Sequence, residues 1–146
     1  MVEERLTEDL LARLLAAPSP DGFLVEGFTS ERSLADYLHE LLMAKDLKRA
    51  DVYRASGLNS TVVYDAFSGK SRLGRDNAIM MAFGLGCSLR EAQRLLKLAG
   101  VAELYPKVRR DAIIIWCIAR GMSREACDDE LWRFGEKTLL GTCPLQ

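Results

Sequence analysis

A chain of 146 residues, 49% hydrophobic and 28% charged with a formal net charge of −1, has the length of one domain and can bury a core of its own. No apolar run approaches the roughly 18 residues a bilayer span needs, and Met1-Val2-Glu3-Glu4-Arg5 is not the start of a signal peptide, since no basic region precedes an apolar one. Cys87, Cys117, Cys127 and Cys143 lack paired spacing, so buried or indifferent thiols are expected rather than a zinc site, in a cytoplasmic protein.

Thr7 is placed to cap an amphipathic helix running through Ala17, with Leu10, Leu11, Leu14 and Leu15 as its apolar stripe. Pro18-Ser19-Pro20-Asp21-Gly22 ends that helix and begins a loop whose Phe23, Val25 and Phe28 are expected to anchor on the core. Ser33 starts the next helix, with Leu34, Tyr37, Leu38, Leu41 and Leu42 at helical spacing.

The stretch from Arg49 to Arg75 then organises the chain. A first short helix, roughly Lys48 to Ser56, puts Val52 and Ala55 on one face. Gly57 ends it, because a residue without Cβ takes the left-handed conformation without a clash. Asn59 or Ser60 supplies a side-chain oxygen that caps a second helix, Ser60 to Ser68. Val63 and Ala66 fall on its inner side, leaving Asn59, Ser60, Thr61, Tyr64 and Asp65 pointing away. Two short helices, a glycine corner and a polar outer face form a helix-turn-helix signature.

Charge segregates onto the same stretch. Residues 1–44 hold three basic and nine acidic groups, residues 45–75 seven and three, and residues 76–146 ten and nine. A local positive excess is the footprint of a phosphate-contacting surface.

Downstream, Asp76 to Leu85 reads as an apolar helix closed by Gly86, and Ser88-Leu89-Arg90-Glu91 as a capping box opening a helix that Gly100 stops. Pro106 suits the first turn of a further helix. Its segment Ala112 to Ala119 is apolar on every side and is expected to be covered all round, either by its own chain or by a second copy. Ser123 caps a last helix bearing Ala126, Leu131 and Trp132; Trp116 and Trp132 read as core residues first and interface residues second, and the tail after Gly135 as loose. No strand pattern stands out. The expectation is a single all-α domain in three parts: an N-terminal helix and loop (1–32) packing on the core, the core (33–100), and a C-terminal helical extension (101–146).

From Leu34 to Gly100 the chain resembles the lambda-repressor-like, XRE-type helix-turn-helix regulators. Gly57 at the turn, Leu58 after it, inward Val63 and Ala66, Gly69-Lys70 after the second helix, Arg72, Arg75 and the apolar helix Ala78 to Leu85 carry the resemblance. Tyr53 and Leu73-Gly74 depart from the family pattern. The resemblance implies a five-helix core and binding to double-stranded DNA in transcriptional regulation, usually as a homodimer on two-fold related half-sites. It places Ser60, Thr61 and Asp65 at the bases with Tyr64 alongside, Asn59 among the DNA-contacting residues, Arg49 at phosphate or a base, and Ser68, Lys70, Arg72 and Arg75 on the backbone. None of the base-facing residues is Arg, Gln or Asn, the side chains that make strong bidentate base contacts.

An enzyme is not expected. His39, the one histidine, sits within a helix with no Ser or Cys in a catalytic arrangement, and Gly84-Leu85-Gly86 lacks the third glycine of a dinucleotide loop. Asp128-Asp129-Glu130 reads as a solvated helix face, and Arg109-Arg110-Asp111 as surface ion pairing. No cofactor, metal or small-molecule ligand is implied. The alternative is a protein-interaction module that keeps the fold without binding DNA, favoured by acidic Asp65 and the absence of basic residues from the second motif helix.

Overall fold

A computed structural model describes residues 2–25 and 33–144, with side chains for 8–22 and 33–144. These residues are helical with no strand: α1 Val2–Ala16, α2 Pro20–Val25, α3 Leu34–Ala44, α4 Arg49–Ser56, α5 Ser60–Ser68, α6 Arg75–Gly84, α7 Leu89–Leu98, α8 Arg109–Ala119 and α9 Arg124–Arg133. No described helix is long and apolar enough to cross a membrane. The chain divides into two compact units, residues 1–32 and 33–146.

In the first unit, α1 begins at Val2 rather than beside Thr7, because Glu3, Glu4 and Arg5 continue the helix N-terminally. A second helix replaces the loop expected after Pro18: Pro20 occupies the first helical position, where its missing N–H costs nothing, and Asp21 lies in the first turn. Phe28 and the side chains of Phe23 and Val25 lie outside the described residues.

The second unit is built around α6. Ala78, Ile79, Met80, Met81 and Ala82 are all buried, so this helix is enclosed on every side. It packs against α4, α7 and α9, while α3 lies against α5 and α7. The closest approach is to α4: a Cβ at Gly84 would sit 2.7 Å from the Val52 carbonyl oxygen and 2.8 Å from Ser56 Cβ. Val52 is buried as expected, but Ala55 is exposed and Ser56 takes the second inward position. The hydroxyl of Ser56 donates to the Tyr53 carbonyl and accepts from the Leu58 amide, which permits its burial.

Local chemistry sets the boundaries. Ser33, Asn59, Ser88 and Ser123 each accept a hydrogen bond from an amide in the first turn of the helix that follows. At Ser88 the Glu91 carboxylate answers by accepting from the Ser88 amide at 2.9 Å, closing the capping box.

The C-terminal part differs most from expectation. Pro106 lies in a turn, and α8 starts three residues later, where Arg109 to Asp111 meet partners elsewhere in the fold. Ile114, Cys117 and Ile118 are buried, but Trp116 is 45% exposed, so α8 is covered on one side only. Trp132 is also exposed, and the two tryptophans flank the solvent side of the α8–α9 pair. The tail is held: Thr138 and Leu139 are buried, and the backbone of Thr142 both accepts from and donates to the Thr138 side chain. Cys87, Cys117 and Cys127 are buried thiols, with burial pushing Cys87 up to about 12, and Cys143 is half-buried.

Candidate nucleic-acid interface

The helix-turn-helix corner is fixed by one residue on each side. Gly57 adopts φ +83°, ending α4 in the left-handed region, and Gly69 does the same at φ +77° after α5. Between them α5 is held from inside by Val63, Ala66 and Phe67, all buried. Each of the two large side chains contributes roughly 1.5–3 kcal/mol by burial. His39 on α3 adds a hydrogen bond from Nε2 to the Phe67 carbonyl at 2.9 Å, with its ring edge-on to Phe67. His39 thus holds the end of α5.

This anchoring turns the other side of α5 outward. Asn59, Ser60, Thr61, Tyr64 and Ser68 are exposed and Asp65 is half-buried. Asn59 is committed to capping, accepting from the Val62 amide at 2.9 Å, and the Ser68 hydroxyl donates to the Asp65 carbonyl. Among the described residues, the Asp65 carboxylate has no ion-pair partner. Nine residues give α5 a length of about 13 Å at ~1.5 Å per residue, and B-DNA's major groove, roughly 12 Å wide, admits a helix of this kind.

The cations of residues 45–75 sort into two groups. Lys45 pairs with Glu91, Arg54 with Asp51, and Arg75 with Asp111, so these three are partly neutralised within the fold. Lys48, Arg49, Lys70 and Arg72 are exposed and make no ion pair among the described residues. Lys70 and Arg72 follow the Gly69 cap, where the Lys70 amide donates to the Asp65 carbonyl and fixes the loop to the end of α5. Arg49, first residue of α4, extends to α5, its guanidinium carbon 5.2 Å from the centroid of the Tyr64 ring, a cation–π contact.

Arg75 needs correcting against expectation. It is not a free gripping residue: its guanidinium makes a two-point contact with Asp111, at 3.0 and 2.7 Å, and donates to the carbonyls of Ala102 and Glu103. Its neighbour Asp76 receives a two-point contact from Arg110 at 2.9 and 3.1 Å. Arg75-Asp76 at the start of α6 and Arg110-Asp111 at the start of α8 therefore form two crossed ion pairs that join the motif's supporting helix to the C-terminal extension. Burial pushes the Asp111 carboxyl up, but the hydrogen bonds from Arg75 and the Tyr105 amide, with the charges of Arg75 and Arg110, outweigh it and hold the group below its ordinary range.

A second link reaches the corner itself. Arg124, at the start of α9, is buried, with Nη1 donating to Asp128 at 2.6 Å and Nη2 to Glu125 at 2.9 Å. Its guanidinium lies against Gly57: a Cβ there would be 2.7 Å from Nε. Asp128, expected on a solvated face, is buried and also accepts from the Leu139 amide at 2.6 Å. Neither link is visible in the sequence, because the partners lie far apart along the chain.

Away from the corner, Ala112, Ile113, Trp116, Glu130, Arg133 and Phe134 line an open groove of about 340 Å³ between α8 and α9. Arg120 stacks over Trp116 and Arg133 over Phe134 at its edges. No family model, curated protein or solved structure matches this chain.

Proposed function

We propose that the chain is a double-stranded-DNA-binding regulator of transcription whose helix α5 enters the major groove. The supporting observation is the exposed polar side of α5, bordered by Arg49, Lys70 and Arg72, which make no ion pair among the described residues. In this reading α3 to α7 form a repressor-like core. Ser60, Thr61, Tyr64 and Asp65 face the bases, and Ser68, Lys70 and Arg72 hold the phosphate backbone. The protein acts in the cytoplasm without catalysis. A homodimer on two-fold related half-sites fits this reading, with the exposed Trp116, Trp132 and Phe134 side of α8 and α9 as the contact between copies.

The test is retention of random-sequence duplex across a salt series. A phosphate-contacting surface loses affinity steeply as salt rises, with a log–log slope of about −0.9 per contact. Replacing both Lys70 and Arg72 by Ala should weaken all duplexes similarly and reduce the slope by about 2. Unchanged binding in that variant removes the loop from the interface.

The groove beside Trp116 and the acidic Asp65 favour a second reading, a helical protein-interaction module. It predicts no duplex retention even in dilute buffer.

A further inference from the structure

The outer side of α5 poses a chemical problem. Ser60 and Thr61 discriminate weakly between bases, Asp65 is repelled by phosphate, and no side chain on this helix is Arg, Gln or Asn. A helix in the major groove with this inventory has no strong base-reading group of its own. The structure brings one from outside. Arg49 belongs to α4, yet its guanidinium centre lies 5.2 Å above the ring of Tyr64, in the second turn of α5.

A cation–π contact holds a guanidinium near the ring while its N–H donors stay available to other acceptors. The edges of Arg49 have no hydrogen-bond acceptor and no ion pair among the described residues, and the residue is exposed. A planar fork of donors held in this way matches the two acceptors, O6 and N7, that guanine presents in the major groove. Tyr64 then supplies orientation rather than contact. Its ring shortens the list of directions that a long, flexible side chain samples, so less conformational freedom is lost on binding.

Resting on the major-groove reading above, we infer that Arg49 is the specificity-determining residue of this surface. It reads one guanine per half-site, and Tyr64 is its positioning residue.

The experiment is selection of bound sequences from random duplexes with the full chain and with Arg49→Ala, Arg49→Lys, Tyr64→Phe and Tyr64→Leu, each checked for unchanged helix content and unfolding midpoint. Both residues are on the surface, so folding should be retained. In the unsubstituted chain one position of each half-site should be guanine. In Arg49→Ala the preference at that position should fall by about 5- to 100-fold, the range for one bidentate contact, with the other positions unaltered. Arg49→Lys keeps the charge but not the planar fork, so it should weaken the same preference less than Arg49→Ala does, since an ammonium still donates to O6 and N7. Tyr64→Phe keeps the ring face and should retain it, whereas Tyr64→Leu should reduce it by about two- to five-fold, the strength of an exposed cation–π contact.

Uniform weakening on all sequences in Arg49→Ala, with the guanine preference retained, makes Arg49 a phosphate contact and overturns the inference. Equal preference in Tyr64→Phe and Tyr64→Leu overturns the positioning role. If the unsubstituted chain retains no duplex, the major-groove reading falls with it. If it selects a half-site without guanine, only the present inference does.

Discussion

Gly57→Ala tests how the C-terminal extension is joined to the helix-turn-helix corner. Two costs are built into that position. The left-handed conformation at φ +83° is unfavourable for alanine by about 1–2 kcal/mol. The new Cβ would also meet Arg124, 2.7 Å from Nε and 3.1 Å from Cζ. A long side chain at a free surface would simply move, but this guanidinium is pinned by Asp128 at 2.6 Å and Glu125 at 2.9 Å. Moving it costs at least one charge-assisted hydrogen bond, about 1.5–3 kcal/mol. The expected total is roughly 2.5–5 kcal/mol, a large part of a typical domain's stability. Arg124→Met separates the two costs, because a flexible thioether can yield where the pinned guanidinium cannot. Urea unfolding of Gly57→Ala, Arg124→Met and the double variant gives the cycle. In the Arg124→Met background the Gly57→Ala cost should shrink to the conformational part, leaving a coupling of about 1.5–3 kcal/mol. A Gly57→Ala cost that agrees between the two backgrounds within about 0.5 kcal/mol would refute the idea that Arg124 bears on the corner.

Gly84→Ala should lower the urea midpoint. Helix propensity favours alanine by about 1 kcal/mol, but the 2.7 Å approach to the Val52 carbonyl forces α4 and α6 apart at an overpacking cost of about 1–3 kcal/mol or more, and a raised midpoint would show that the two helices are not in such close contact. Asp111→Asn should destabilise the chain at neutral pH by about 1–3 kcal/mol, a buried-pair value reduced because the Arg75 side chain is 29% exposed. The folded pKa of Asp111 is depressed, so its contribution is full above the ordinary value of 3.8 and is lost as pH falls through the lower folded value. The gap between the two proteins should therefore be constant from about pH 7 to about 5 and close below 3.8, which unfolding curves across that range would check.

The legible parts of the fold are those governed by neighbours in sequence. Ser33, Asn59, Ser88 and Ser123 act on amides three residues away, and Gly57 and Gly69 set their own backbone angles, so helix limits and the outward side of α5 follow from local chemistry. What escapes a sequence reading depends on charges brought together across the chain. Arg75 looks like its exposed neighbour Arg72 until Asp111, 36 positions later, is seen against it. Asp128 has Arg124 one helical turn before it, a pair the spacing allows, but its burial and the Leu139 amide on its other oxygen depend on the tail folding back. Within one chain α6 is the enclosed helix and α8, though as apolar, is covered on one side only, since composition shows how apolar a helix is and not how many neighbours its own chain supplies. In the candidate interface, Arg49 and Tyr64 are each readable as surface residues, but their stacking joins two helices and arises only when the corner folds.

The most direct measurement is a titration of the isotopically labelled chain with a retained duplex, following each backbone amide by NMR. The account predicts that the amides of Asn59 to Arg72 and of Arg49 shift together, while the crossed pairs at the starts of α6 and α8 stay in place. Shifts confined to the Trp116 and Phe134 side of α8 and α9, with α5 silent, would contradict it.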